Sequence, residues 1–262
     1  MLQITRHIRE LTELILPSGC VACGSWISQS TTGGVTKSSQ NSGDMVCLSC
    51  RSRLSEPSWP RCPRCDHPRG TGRGAAADCL ACRDWPTALS AARSALVLRS
   101  PATDLVHALK YEGWDRLADF MGARMARVFA SDRTSHFPPG SRQVVVPVPT
   151  TERRLRERGY NQAALLARRV GADLRLPVRT ALARRSGGPS QTALRSEARR
   201  ENVRDVFRAT TESVGGAHVL LVDDVLTTGA TAGEAASVLL DSGAAGVVLL
   251  TFARALPDPQ GG

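Results

Sequence analysis

Aromatic residues are scarce in this chain: they make up 4% of its 262 residues, and only two of them are tyrosines. Proteins that bind single-stranded nucleic acid without sequence preference stack bases on several aromatic side chains, and this sequence has too few for such a platform. Long apolar runs are absent too. No stretch of about eighteen apolar residues occurs, so the sequence predicts no membrane span.

Lysine occurs only at positions 37 and 110, so arginine provides nearly all of the 34 basic residues. The formal net charge of +10 indicates an anionic partner but does not identify it. A G+C-rich genome would also favour arginine, so the arginine bias by itself is weak evidence for phosphate recognition. The length of the chain is sufficient for one α/β domain and a smaller module.

Cysteine is absent from the last two-thirds of the chain, and its eight residues form four C-x-x-C pairs. The pairs are Cys20/Cys23, Cys47/Cys50, Cys62/Cys65 and Cys79/Cys82. Two pairs together provide the four thiolates of a structural Zn2+ site, which leaves no position for a substrate. We therefore predict two structural zinc ions. Sequential pairing is the simplest arrangement, and the spacing leaves interleaved pairing open.

Four disulfides are the alternative use of these cysteines. No secretory signal precedes them, and C-x-x-C repeats favour metal, so we expect zinc and a cytoplasmic protein. His67 follows Cys65 closely, but it is expected to be a bystander because the cysteines already complete both sites.

The cysteines also divide the chain into three predicted parts. Residues 1–16 carry apolar side chains at helical spacing and are predicted to form an amphipathic helix. Residues 17–86 are the predicted double zinc module, in which Ser28–Gly43 is a flexible excursion rich in Ser, Thr and Gly. Residues 87–262 alternate between strand and helix patterns, which predicts an α/β domain with a parallel sheet flanked by helices.

The most informative stretch is residues 219–231, VLLVDDVLTTGAT. Its four leading apolar residues do not alternate with polar ones, which predicts a strand covered on both faces. Asp223 and Asp224 follow at the carboxyl end of this strand, where open α/β sheets bind ligands. The alternative interpretation is a buried strand that ends in two surface aspartates.

A small, hydroxylated loop with one glycine follows the acidic pair. Its backbone N–H groups and threonine hydroxyls can converge on one anion. Thr231 and Glu234 match a capping box, which predicts a helix over Ala232–Leu240 whose N-terminus faces the same anion. The carboxylates can accept hydrogen bonds from vicinal ribose hydroxyls, directly or through Mg2+. The stretch therefore predicts a site for a phosphorylated ribose.

A second candidate site is residues 151–162, TERRLRERGYNQ. It lies between a predicted strand, Val144–Val148, and a predicted helix, Ala163–Ala172. Its four arginines and one glycine suit a pyrophosphate cradle, since one guanidinium group can bind two phosphoryl oxygens at once. A solvated charged turn is the alternative. The other predicted elements are a strand at 95–98 and helices at 100–110 and 115–130.

Taken together, these motifs resemble the ComF/GntX family of type I phosphoribosyltransferase-like proteins, and the resemblance covers nearly the whole chain in order. The matching segments are the cysteine pairs, Tyr111-Glu112-Gly113, Pro147-Val148-Pro149, Arg158-Gly159-Tyr160-Asn161-Gln162, Gln191-Thr192 with Leu194, Arg199, Asn202, Phe207 and residues 219–231. Only the last of these is specific on its own. The ordered set is much more so.

The resemblance implies a phosphoribosyltransferase-like fold that binds 5-phosphoribosyl-1-pyrophosphate (PRPP) with Mg2+. It implies that Asp223 and Asp224 hold the ribose and act in catalysis. The 5′-phosphate would lie on the residues that follow them, namely Val225, Leu226, Thr227, Thr228, Gly229, Ala230 and Thr231. The implied pyrophosphate contacts are Arg158, Gly159, Asn161, Gln162 and Arg199. Residues 184–202 match the segment that forms a mobile lid over the ligand in that family, and a plain solvent-exposed loop is the alternative.

Two functions follow from these observations. The first is a phosphoribosyltransferase with an unidentified acceptor. The second is the role that the ComF resemblance implies, a DNA-binding protein of competence and DNA uptake, with single-stranded DNA as partner and PRPP binding regulatory or residual. No general base is evident, because Thr227 stands where some purine-salvage members of the wider family have aspartate. An amidotransferase has less support, since every cysteine belongs to a pair.

Overall fold

The computed structural model of the protein describes residues 19–27, 45–69, 79–185 and 206–256. The predicted helix at 1–16 and the excursion Ser28–Gly43 lie outside the described residues. So does most of the predicted lid, including Arg199 and Asn202.

Four parallel strands form the central sheet, in the order β1-β6-β5-β2. These strands are β1 (Leu89–Val97), β2 (Gln143–Pro147), β5 (His218–Leu226) and β6 (Gly246–Arg254). A separate antiparallel pair consists of β3 (Leu182–Arg184) and β4 (Phe207–Ala209). The predicted parallel sheet is confirmed. The predicted elements do not include β6, which lies between β1 and β5.

Helices cover both faces of the sheet, as predicted. They are α1 (Leu48–Arg53), α2 (Ala102–Tyr111), α3 (Leu117–His136), α4 (Glu152–Arg158), α5 (Gln162–Leu174) and α6 (Ala230–Asp241). The predicted helices correspond to α2, α3, α5 and α6, although α3 continues six residues beyond the predicted end at Ala130.

The arginine-rich segment differs from the expectation of a loop, because it forms the short helix α4. The Thr151 side chain caps this helix by accepting a hydrogen bond from Arg154 N at 3.2 Å. Gly159 ends it with a φ of 81°, a left-handed conformation that glycine adopts at little cost. The charged pattern alone does not distinguish such a helix from a turn.

Strand β5 is the buried centre of the sheet. Val219 and Leu221 pack into one core, whereas Leu220 and Val222 pack into the other. All four side chains are fully buried, and burial of each stabilises the fold by roughly 1.5 to 3 kcal/mol. Apolar and polar residues do not alternate in this strand because both of its faces are buried, as predicted. Strand β5 therefore holds the acidic pair on a rigid support.

The cysteine-rich module packs along the edge strand β1. Val97 N donates to the Ser55 carbonyl at 2.8 Å, and Ala92 N donates to the Arg64 carbonyl at 2.7 Å. The cysteines at positions 20 and 50 share a core with α2, α3 and α5, and those at 62, 65 and 82 share the other core with α6. The boundary at residues 86 and 87 stays a prediction.

Candidate functional site

Asp224 is held at the carboxyl end of β5 by two neighbours. The Lys110 Nζ lies 2.7 Å from its Oδ1, and Gln162 Nε2 donates to its Oδ2 at 3.0 Å. Only 4% of Asp224 is exposed. A buried carboxylate is costly unless it is paired and hydrogen-bonded, and these contacts satisfy that need.

Asp223 is half-buried beside it and accepts a hydrogen bond from Asp224 N at 2.8 Å. Burial, and then the negative charge of Asp224, raise the pKa of Asp223 to about 7. In the free protein, the neutral form of Asp223 is thus favoured below about pH 7. A ligand that donates hydrogen bonds or brings a cation would favour the ionised form instead.

Residues 227–231 form the phosphate loop of the prediction. Thr227, Thr228 and Thr231 are exposed. Gly229 has a φ of 81° and is the N-cap of α6, which begins at Ala230. Because α6 has twelve residues, its unpaired N–H groups and dipole make this end a favourable place for an anion.

The predicted capping box is wrong. The left-handed Gly229 starts the helix before Thr231, which places Glu234 inside α6. The Glu234 Oε1 instead accepts hydrogen bonds from the backbone N–H groups of Val206 and Phe207, the latter at 3.3 Å. This carboxylate therefore joins α6 to the start of β4 and does not cap the helix.

Trp85 lies against the phosphate loop and is 8% exposed. Its indole Nε1 donates to the Thr228 carbonyl at 2.7 Å. A Cβ added to Gly229 would lie 2.5 Å from the Trp85 ring, so only glycine fits here without a shift. The module that contains the cysteines thus contacts the loop directly.

The predicted pyrophosphate residues differ from one another in the contacts that they make, and their role in binding stays a prediction. The Asn161 side chain caps α5 by accepting from Ala163 N at 3.1 Å, and its Nδ2 donates to the Val148 carbonyl. Gln162 contacts Asp224, as described above. The Arg158 guanidinium stacks on the Tyr111 ring at 4.9 Å, and its buried Nη1 has no hydrogen-bond partner within the described ranges.

The other arginines of α4 face solvent. The side chains of Arg153 and Arg156 are 83% and 74% exposed, and they pair with Glu157 and Glu152 of the same helix. Exposed pairs of this kind contribute little stability. Arg158 is therefore the residue of this group that the structure turns toward the end of α2.

Lys110 is the site residue that the sequence motifs missed. It is the last residue before the Tyr111-Glu112-Gly113 match, and the Leu109 carbonyl just before it accepts a hydrogen bond from the Tyr160 hydroxyl at 2.6 Å. The end of α2 thus contacts both the acidic strand end and the segment after α4. A signal existed, since Lys110 is one of only two lysines in an arginine-rich chain.

The eight cysteines form two four-cysteine clusters with sequential pairing. The first cluster consists of Cys20, Cys23, Cys47 and Cys50, and the second of Cys62, Cys65, Cys79 and Cys82. Four sulfurs placed 2.3 Å from a tetrahedral Zn2+ would be about 3.8 Å apart.

The observed separations fit this geometry. The sulfur–sulfur distances are 3.8 Å for Cys23 and Cys47, 3.8 Å for Cys62 and Cys82, and 3.6 Å for Cys65 and Cys79. Arg53 donates a hydrogen bond to the Cys50 sulfur at 3.1 Å, as expected next to thiolates. Both clusters could hold zinc. His67 lies outside them, and its Nδ1 donates to the Pro68 carbonyl at 2.7 Å.

No protein-family model matches the sequence. Competence protein ComFC of Bacillus subtilis strain 168 is 32% identical to this chain over 241 residues, which cover 90% of this chain and 94% of that protein. The chain belongs to the ComF family. A second relative, the DNA utilization protein YhgH of Escherichia coli strain K12, is 30% identical over 80% of this chain and 91% of its own length.

Among solved structures, a hypoxanthine phosphoribosyltransferase from Staphylococcus aureus is similar at 12% identity and a TM-score of 0.33. The match covers 54% of this chain and 75% of that one. Among the described residues, none of the helices combines the length and apolarity that a membrane span requires.

Proposed function

We propose that this ComF-family protein binds PRPP at the carboxyl end of β5 and transfers its phosphoribosyl group to an unidentified acceptor. One observation carries the proposal. Two adjacent carboxylates, Asp223 and Asp224, lead directly into an exposed loop that ends in a helix N-terminus. Carboxylates suit ribose hydroxyls or a divalent cation, and the helix N-terminus suits a phosphate. The acidic pair and the loop therefore match the ribose and the 5′-phosphate of PRPP, respectively.

The residues around this pair have assigned tasks in the proposal. Asp223 and Asp224 accept hydrogen bonds from the ribose hydroxyls, and their charge stabilises the oxocarbenium ion that develops as pyrophosphate leaves carbon 1. Lys110 and Gln162 orient Asp224. Arg158, whose guanidinium lies on the Tyr111 ring beside Lys110, is the proposed cation for the leaving pyrophosphate. Mg2+ bound with PRPP would neutralise phosphate charge.

Zinc in the two four-cysteine clusters is also part of the proposal. Four thiolates with sulfur separations near 3.8 Å fit zinc, and a site with four protein ligands is structural. Thiolates of this kind persist in a reducing compartment, which supports a cytoplasmic location.

Calorimetric titration of PRPP, with Mg2+, into the zinc-loaded protein tests the proposal. Wild type is expected to bind, and the Asp223→Asn/Asp224→Asn variant is expected to bind at least about 100-fold more weakly, since it loses two charged hydrogen-bond acceptors. Asp241→Asn, at the exposed end of α6, is the matched control. Equal binding by all three, or by none, contradicts the proposal.

A second function is favoured by the relatives, whose names refer to competence and DNA utilization. In this alternative the protein binds DNA, and PRPP binding is regulatory or residual. The net charge of +10 supports it, and Arg153, Arg154 and Arg156 are exposed cations on one short helix.

Substitution of these three arginines by glutamine separates the alternatives. A DNA binder should lose affinity for single-stranded DNA. The slope of its binding constant against salt concentration should also become shallower, because up to about three fewer counterions are released on binding. Binding of PRPP should stay within about twofold, because these side chains point to solvent. Loss of PRPP binding with intact DNA binding would contradict this assignment of the arginines.

A further inference from the structure

We propose that Trp85 is a positioning residue for the phosphate loop, and that the second four-cysteine cluster holds Trp85 in place, so that metal in this cluster determines how tightly the loop binds its ligand. The inference rests on the proposed function, because the ligand of the loop is the phosphate group of PRPP.

Trp85 and its neighbour cover the beginning of α6. The Trp85 indole donates to the Thr228 carbonyl at 2.7 Å, and its ring lies directly on the backbone of Gly229. Pro86 does the same one turn later, where a Cβ added to Gly233 would lie 2.7 Å from the Pro86 ring. The loop backbone cannot shift toward the module while these two rings stay in place.

The second cluster holds this pair of rings through the backbone. Trp85 N donates to the Cys82 carbonyl at 3.1 Å. Arg64, which lies inside the third C-x-x-C pair, donates to the carbonyls of Cys82, Trp85 and Pro86 at 3.1, 3.3 and 2.9 Å. Both cysteine pairs of the second cluster therefore fix the segment that carries Trp85.

The first cluster has a different position and provides an internal comparison. Its buried cysteines, Cys20 and Cys50, pack into the core formed with α2, α3 and α5. Trp85 and the second cluster share the other core with α6, the helix that follows the phosphate loop. A direct effect on the loop is expected from the second cluster and not from the first.

The physical link is preorganisation. Small cysteine-rich modules depend on metal for their folding, so loss of metal from the second cluster would free Arg64 and Cys82 to move. Trp85 would then no longer restrain the loop, and PRPP would have to order the loop when it binds. Affinity falls when a ligand must provide this ordering.

The first experiment uses Trp85 as its own reporter. The chain has four tryptophans, at positions 26, 59, 85 and 114. A variant with Trp26→Phe, Trp59→Phe and Trp114→Phe leaves Trp85 as the one indole fluorophore. In this background Cys79→Ser is compared with Cys47→Ser, because each is the third cysteine of its cluster and each is partly buried.

Cys79→Ser is expected to shift the Trp85 emission to longer wavelength and to weaken PRPP binding at least tenfold. Cys47→Ser is expected to change neither. Equal effects of the two variants, or no effect of Cys79→Ser, overturn the inference. The emission shift needs no ligand, so it tests the link between the cluster and the loop even if the wild type fails to bind PRPP. Failure of the wild type to bind PRPP would contradict only the proposed function.

Trp85→Phe tests the positioning role without touching a metal ligand. Phenylalanine keeps an aromatic ring on Gly229 but loses the hydrogen bond to the Thr228 carbonyl. Native mass spectrometry should show the same zinc content as wild type, and circular dichroism the same fold. PRPP affinity should fall about threefold to tenfold, the effect of one hydrogen bond. Unchanged affinity overturns the role of the indole N–H.

Discussion

The acidic end of β5 and helix α4, which comes after β2, are both charged segments near the carboxyl end of a sheet strand, but their surroundings differ. Asp224 is 4% exposed and is held by Lys110 and Gln162. No residue of α4 is buried, and two of its arginines pair with glutamates of their own helix. The difference shows that a charged motif becomes a preformed site only where other elements pack around it.

The largest expected effect comes from a pair of glycines with the same backbone conformation. Gly229 and Gly159 both have a φ of 81°, but only Gly229 has a ring against it, since a Cβ at Gly159 would meet nothing within 4 Å. Gly159→Ala should cost about 1 to 2 kcal/mol for the left-handed conformation alone. Gly229→Ala should cost about 1 to 3 kcal/mol more, from overlap with Trp85.

Denaturant unfolding and PRPP titration measure both variants. Gly229→Ala should also lose most PRPP binding, whereas Gly159→Ala should keep it. Similar losses of stability and affinity in the two variants would remove the distinction between a packed loop and an exposed helix end.

The next effect concerns the partners of the two charged segments. Lys110→Met keeps the side-chain length but leaves the buried Asp224 without its cation, which should lower the free energy of unfolding by about 2 to 3 kcal/mol. Arg153→Met breaks an exposed pair and should leave the free energy of unfolding nearly unchanged. Urea unfolding at pH 7.5 compares them. Equal costs would mean that Asp224 is not held as the structure indicates.

Asp223 provides the smallest of these effects and a test by pH. Its pKa in the folded protein, about 7, is above its ordinary value of 3.8. The folded state therefore keeps a proton that the unfolded state has released, and stability falls as pH rises from about 4 to 7.

Asp223→Asn removes this loss. Asp223 is only half-buried, so solvent screening reduces the effect well below the roughly 4 kcal/mol that the full shift would give. The variant should be more stable than wild type at pH 8, by on the order of 1 kcal/mol, and should gain little at pH 4. Thermal unfolding at both pH values measures the difference. A variant that is less stable than wild type at pH 8 would contradict the raised pKa, whatever its effect on PRPP binding.

The sequence predicts the features whose cause is local. The apolar run before Asp223 indicates burial on both faces, and the C-x-x-C spacing indicates metal-type cysteines. The parallel sheet without β6, the loop and the presence of two cysteine clusters are therefore predicted from the sequence, whereas the pairing of the cysteines needed the structure. The capping box failed for a local reason as well, because the left-handed Gly229 starts α6 earlier than Thr231.

The remaining features depend on contacts between distant residues. Trp85 and Thr228 are 143 positions apart, and no local pattern indicates that the indole binds this carbonyl. Lys110 reaches Asp224 only because α2 ends beside the carboxyl end of β5. For the same reason, sequence alone could not show that α4 is a solvated helix.

The most direct test of the account is hydrogen–deuterium exchange of the zinc-loaded protein with and without PRPP and Mg2+. Exchange should slow in residues 226–232, where the loop N–H groups would bind the 5′-phosphate, and should stay unchanged in residues 152–157 of α4. Protection of residues 152–157 without protection of the loop, or no protection in either segment, would contradict a PRPP site at the end of β5.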